Sequence, residues 1–236
     1  QSWHKMPKHD HYVDHHWSHA AASYYTRPFK EEPVCVVIDA IGEWDTCSIW
    51  FNKKKVWSRK YPYSLGLFYT AITHAIGLKP MEDEYITMGM AAYGEPIYNL
   101  SYLLDDNLHK GLKYHLAGKH EDIAASAQLV IEQKIIEIMQ IARRYSSHLC
   151  YGGGVALNCV ANSKIHPMFD NVWIFPSPGD SGSSLGAAAA VNGKMLNWQG
   201  PYLGYNIDNP INPKEVARHL IKHSVCGVAN GKAEFG

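Results

Sequence analysis

Residues 14–25, DHHWSHAAASYY, gather three histidines and then run on into small and aromatic residues. In a helix, His15 and His19 stand one turn apart on one face, a spacing that lets two imidazoles reach one divalent metal. His16 points about 100° away around the same helix, so it is not a natural third ligand. An HxxxH pair also suits ordinary surface or core histidines, and it gains meaning only if carboxylates converge on it. Two candidates exist. Asp39 closes the apolar run VCVVID, where an unpaired carboxylate would be costly. Asp180 lies in PSPGDSGSS, a loop opening onto a helix, where simple N-capping is the ordinary alternative. Two imidazoles and two carboxylates form a mixed N/O set that suits Fe(II), Mn(II) or Zn(II) better than Ca(II).

A second stretch with chemical potential is YGGGVALN, residues 151–158. A glycine triplet between a strand and a helix lets the backbone approach a ligand closely, and the helix start offers N–H groups to an anion. Asn158 could hydrogen-bond a sugar hydroxyl there. The run is neither G-x-G-x-x-G nor a Walker A loop. The third stretch, EDEYITMGMAAYGEP, pairs Glu82, Asp83 and Glu84 with a turn rich in Gly and Met; alone it reads as an exposed acidic loop.

The elements that must position these residues are readable from patterning. VCVVID, DTCSIWF and KKVWSRK predict an antiparallel meander near 34–39, 45–51 and 54–60. SLGLFYTAITHAIGL predicts a helix capped by Ser64. EDIAASAQLVIEQKIIEIMQIARRY predicts the longest helix, of roughly 24 residues, with Arg143 and Arg144 favouring its C-terminus. Strands are expected at 148–152 and 172–175, helices in VALNCVANSKIHPMF and SGSSLGAAAAVNGKMLNW, and a second layer built from this half. GPYLGYNIDNPINP reads as a linker, PKEVARHLIKH as a short helix and SVCGVAN as a strand. The architecture is α/β.

Bulk properties narrow the function classes. With 22 basic and 22 acidic residues the formal charge is zero, which disfavours nucleic acid as a partner. The five cysteines form no C-x-x-C pair and sit mostly in apolar runs, as expected of a reducing cytosol and a cytoplasmic protein. No run reaches the roughly 20 apolar residues that span a bilayer.

Taken in order, HHWSHAAASYY, VVIDAIGEWDTCSIW, YSLGLFYTAITHAIGLKPMEDEYITMGMAAYGEP, YGGGVALNCVANSKI and PSPGDSGSSLGAAAA resemble the NodU/CmcH-type O-carbamoyltransferases. The resemblance covers nearly the whole chain. It implies the Kae1-like branch of the actin/Hsp70-type (ASKHA) ATPase fold, here incomplete, with two α/β subdomains around a nucleotide cleft. It implies a two-stage reaction: a YrdC-like domain makes carbamoyl adenylate from carbamoyl phosphate and ATP, and the Kae1-like domain passes the carbamoyl group to a hydroxyl of a small-molecule or glycan acceptor. By motif, the ligands of a divalent metal, Fe(II) in most relatives, would be His15, His19, Asp39 and Asp180. Gly152, Gly153, Gly154 and Asn158 would face the adenylate, with Glu84 near its ribose and Gly42 and Glu43 also on the nucleotide side. Apart from the resemblance, a neighbouring histidine, His16 or His11, could act as general base; nothing in the sequence selects between them, and His16 is taken as the catalytic candidate. Relatives often carry Lys where Ile86 stands, so that polar contact is lost.

The resemblance also implies a fragment. Residues 1–205 would be a Kae1-like domain lacking its first strands and phosphate loop. Residues 206–236 would be a linker and the start of a YrdC-like domain, with KAEFG stopping before the basic residues that hold carbamoyl phosphate. The chain alone is then expected not to make carbamoyl adenylate. Two other readings compete: a threonylcarbamoyl transferase of the Kae1/TsaD type acting on tRNA, separable by salt-dependent tRNA binding, and a nucleotide-binding remnant without turnover, separable by metal content.

Overall fold

The computed structural model describes residues 9–207 and 210–234. The chain divides into two compact units, with the break between Leu196 and Asn197.

In the first unit, β1 (Val34–Gly42), β2 (Asp45–Phe51) and β3 (Lys54–Lys60) form the expected antiparallel meander. β1 runs to Gly42 rather than stopping at Asp39, through a register shift between Ile38 and Gly42. β4 (His148–Gly152) pairs parallel with β1, and β5 (Asn171–Ile174) parallel with β4. The sheet order is therefore β3-β2-β1-β4-β5. This corrects the expectation that β4 and β5 build a second layer. Hydrophobic patterning tells which residues are buried but not which strands are neighbours, and β4 and β5 extend the first sheet.

Helices cover both faces, and β1 shows why. Val34, Val36 and Ile38 are buried with α2 (Leu65–Ala75) and α4 (His120–Arg143). Their alternates Cys35 and Val37 are buried with α1 (His15–Thr26) on the other side. A strand buried on both faces needs an unbroken apolar run, and β1 has one. Capping follows the sequence: Asp14 accepts from Trp17 N at the start of α1, and Ser64 from Leu67 N at the start of α2.

α3 (Glu84–Met90) and α5 (Cys159–Ile165) are short. Residues Gly154–Leu157 form a tight 3-10 turn, so the helix expected over VALNCVANSKIHPMF is a turn followed by α5. α6 (Asp180–Asn192) ends where Gly193 adopts φ 68°, well short of Trp198. It packs against α1 so closely that a Cβ on Gly186 would lie 1.8 Å from the Ser18 carbonyl oxygen. Only glycine permits that approach.

In the second unit, β6 (Tyr202–Ile207) pairs antiparallel with β7 (Gly231–Glu234), and α7 (Pro213–His223) lies between them in sequence. Two expectations are corrected. The Gly/Pro/Asn-rich segment contains a strand, and SVCGVAN does not, because Ile207 pairs with Gly231 and leaves 225–230 out of the ladder. Phe235 and Gly236, which complete KAEFG, lie outside the described residues. No helix is long and apolar enough to cross a membrane among the described residues.

Candidate metal centre and adjoining cavity

Three elements aim side chains at one point. α1 supplies His15 and His19, β1 supplies Asp39 at its bulge, and the first residue of α6 is Asp180. One ligand atom from each of the four lies within 4.8 Å of every other. His15 Nε2 is 3.0 Å from Asp39 Oδ2, and His19 Nε2 is 3.2 Å from Asp180 Oδ1 and 3.3 Å from Asp39 Oδ2. The two Nε2 atoms are 3.1 Å apart. The sequence-derived quartet is thus brought together, across 165 positions of chain.

The second polar atoms of His19 and Asp39 are already engaged. The Pro178 carbonyl can only accept, so His19 Nδ1 donates to it at 3.0 Å and leaves Nε2 for the shared point. The same carbonyl accepts from Gly153 N at 2.9 Å. Asp39 Oδ1 accepts from Ala40 N at 2.8 Å and Gly154 N at 3.3 Å, leaving Oδ2. Backbone partners that fix ring tautomer and carboxylate orientation are what a metal ligand set needs behind it. The donor types, two imidazole nitrogens and two carboxylate oxygens, fit a divalent transition metal.

Electrostatics follow. Burial pushes against a charged His19, but its hydrogen bonds to Asp180 and Asp39 and their negative charges outweigh this and raise it to about 9. Burial would raise Asp39, yet the His15 and His19 hydrogen bonds hold it well below the usual carboxylate range. Asp180 is lowered chiefly by its hydrogen bond with His19. In the metal-free protein the cluster is a proton-linked ion-pair network, and a cation would take the proton's place.

A cavity of about 300 Å³ opens beside this cluster and shares Asp39 with it. Gly154, Asn158 and Glu84 line it, and so do Tyr69, Thr70, Tyr85, Met88 and Leu157. The sequence reading missed these five; they sit in helical or turn segments where nothing separates a cavity wall from a packed face. Glu84 Oε1 accepts from Thr70 Oγ1 and Met81 N, both at 2.8 Å, which fixes the α2–α3 side of the wall.

Other expected site residues are placed elsewhere. Gly42 is not on the cavity: a Cβ there would lie 2.3 Å from His15 Cδ2 and 2.6 Å from His16 Cδ2, so the glycine exists to seat those rings. Glu43 takes a hydrogen bond from the Tyr12 phenol on the solvent side of the turn. Gly152 and Gly153 lie behind the wall; Gly153, at φ 89°, abuts the Ile38 carbonyl. Asn158 caps α5 through Ala161 N and exchanges two hydrogen bonds with Gln128, so its amide is largely committed. His16 is 1% exposed, with both ring nitrogens bonded, to Ser48 Oγ at 2.8 Å and the Asp45 carbonyl at 2.9 Å. Burial holds it below the ordinary histidine range. Both ring nitrogens are engaged by the sheet, and the ring does not line the cavity.

Comparison with known proteins agrees with this architecture. The family model described as carbamoyltransferase N-terminus matches residues 4–118 and 99–189. An uncharacterised protein of Synechocystis sp. is 34% identical over 83% of this chain and 40% of its own length. Nodulation protein NolO of Bradyrhizobium diazoefficiens is 28% identical over 78% of this chain and 39% of its own. The chain therefore spans about two-fifths of each of these relatives. Among solved structures, the activator of 2-hydroxyisocaproyl-CoA dehydratase from Clostridium difficile, determined with bound ADPNP, matches with a TM-score of 0.50 at 15% identity, over 75% of this chain and 65% of that one. That likeness carries the fold, an ASKHA-type ATPase-like α/β arrangement. With the family model spanning the sheet, both helical layers and all four clustered ligands, the chain belongs to the carbamoyltransferase N-terminal family.

Proposed function

We propose that this chain is the transfer module of an O-carbamoyltransferase, moving a carbamoyl group from carbamoyl adenylate to an acceptor hydroxyl. The observation that carries the reading is the adjacency of the four-ligand cluster to the cavity, joined through Asp39. His15, His19, Asp39 and Asp180 would hold a divalent metal, Fe(II) being the family expectation. Bound there, the metal would polarise the carbamoyl oxygen or lower the pKa of the acceptor hydroxyl.

The chain's own residues do the rest. Tyr85, Met88 and Leu157 give the base an apolar wall, while Glu84 and Thr70 offer hydrogen-bonding groups suited to ribose hydroxyls. The tight Gly153–Gly154 turn brings main chain to the Asp39 end of the cavity, where the mixed anhydride would lie. In the transfer, the acceptor oxygen bonds to the carbamoyl carbon, the bond to the phosphate oxygen breaks, AMP leaves with the electron pair, and the hydroxyl proton is released. Carbamoyl phosphate and ATP belong to the preceding stage, which the longer relatives would complete.

The test uses metal content and AMP binding. One metal per chain is expected after reconstitution with Fe(II) or Co(II), with loss in Asp39→Asn. AMP should bind by calorimetry and weaken in Glu84→Ala with metal content unchanged. AMP affinity indifferent to Glu84→Ala would remove the cavity from the reading; a wild-type chain that holds no metal would remove the centre.

A further inference from the structure

The sequence places His16 beside a metal-binding pair, yet the structure turns it into the sheet. We propose that His16 is a positioning residue that sets the rotation of α1, and through it the aim of His15 and His19 at the shared point. This rests on the metal reading above.

The hydrogen-bond network fixes the tautomer of the neutral ring. The Asp45 carbonyl can only accept, so His16 Nε2 carries a hydrogen and donates to it. Trp50 Nε1 has only a donor, and it donates to Ser48 Oγ at 2.8 Å. In the neutral ring Nδ1 then carries the lone pair, and the Ser48 hydroxyl donates to it. The Trp50 indole, the Ser48 hydroxyl, both His16 ring nitrogens and the Asp45 carbonyl are thereby all paired, with no carboxylate on the ring. That is the arrangement of a neutral, orientation-fixing imidazole.

The anchor is reinforced on both sides. Lys55 Nζ reaches Asp45 Oδ2 at 2.5 Å and Asp14 Oδ2 at 3.4 Å, and Asp14 is the N-cap of α1. Trp17, on the next position of α1, stacks with Trp50 at 5.0 Å between ring centroids. Gly42 then wedges against both His15 and His16. β2 therefore grips the first turn of α1 at His16 and Trp17, and Lys55 of β3 holds its N-cap, Asp14. His15 and His19 project from the same helix toward Asp39 and Asp180. An α-helix is rigid over one turn, so rotation at His16 moves both ligand nitrogens together.

The experiment uses the 236-residue chain, with Co(II) as the probe because its visible spectrum reports ligand geometry. His16→Gln keeps an amide able to donate to the Asp45 carbonyl. His16→Ala keeps nothing. Losses behind metal ligands run to about 10–100-fold, so His16→Ala should lower Co(II) affinity at least tenfold and change the spectrum, while His16→Gln recovers most of the affinity. Ile135→Ala, in α4 on the far face of the sheet, serves as the stability-matched control: it should lower the melting temperature and leave Co(II) affinity unchanged. Ile135→Ala weakening Co(II) as much as His16→Ala would reduce His16 to general stability and overturn the proposal. In the metal-free wild type, long-range ¹H–¹⁵N correlation should show His16 as the Nε2–H tautomer; an Nδ1–H ring would overturn the network directly. Wild type that binds no Co(II) sinks the metal reading and the proposal together, whereas Co(II) binding untouched by His16→Ala sinks the proposal alone.

Discussion

His19 carries the clearest pH signature. Its folded value of about 9 lies above the ordinary 6.5, so the stabilisation it gives the metal-free protein is full below pH 6.5 and is lost as pH rises through 9. Asp39 and Asp180 are lowered from 3.8, so their contribution is full above that value and is lost as acid protonates them. The EDTA-treated protein should therefore melt highest between about pH 4 and 6.5, and its melting temperature should fall toward pH 9. His19→Gln should flatten the alkaline limb. Metal affinity should move the other way, rising with pH toward 9, because a cation must displace the proton shared at Nε2. Melting scans and metal titrations at matched pH check both; an alkaline rise in metal-free stability would refute the ion-pair account. Gly42 gives a second test. A Cβ there would clash with the Cδ2 atoms of both imidazoles, and overpacking of this kind costs about 1–3 kcal/mol. Gly42→Ala should lower both stability and metal affinity. Gly89→Ala, in a helix with open space around it, should be neutral or slightly stabilising by the same measurements.

Elements transmit these effects. Asp180 reaches the centre only because α6 lies against α1, and Gly186 sets that distance. Gly186→Ala places a methyl on the Ser18 carbonyl, a backbone atom that cannot swing aside. The helices must part, at a cost of about 1–3 kcal/mol or more, and Asp180 should withdraw from His19. A lower urea midpoint with weakened Co(II) binding is expected; retained affinity would mean that α6 can slide without losing its aim. Most elements could be read from sequence because their signals are local. Ser64 caps α2 as its type suggests, and the apolar run of β1 buries both faces. What failed was non-local. Residues 148–152 and 172–175 read correctly as strands, but strand order depends on packing partners, so their place beside β1 was not visible. His15, His16 and His19 are the same residue type. Helical phase separated His16 from the other two, but its sheet partners Ser48 and Asp45 lie 32 and 29 positions away, and no local pattern encodes them.

In the whole molecule the quartet ties together segments that are distant in sequence. His15 and His19 on α1 and Asp180 on α6 come from one face of the first unit's sheet, and Asp39 comes from β1 at its centre. In the metal-free protein His19 is held protonated by Asp180 and Asp39, and Asp39 keeps its charge against burial. A divalent cation binding only the folded state stabilises it by RT ln(1 + [L]/Kd), about 2.7 kcal/mol at a hundredfold excess over Kd. For a chain of this size about 2–4 °C accompany each kcal/mol. Saturating Co(II) or Fe(II) should thus raise the melting temperature by roughly 5–10 °C at pH 7.5, and EDTA should reverse the shift. The rise should grow by about 1.4 kcal/mol per tenfold increase in free metal, because the effect is mass action. Asp180 has the most exposed side chain of the four, at 78%, and Asp39 is held by two backbone N–H groups. Asp180→Asn should therefore keep part of the metal-dependent rise, while Asp39→Asn should lose nearly all of it and loosen Gly154 as well. A metal-dependent shift of equal size in wild type and Asp39→Asn would place the cation elsewhere and detach the cluster from the cavity it adjoins.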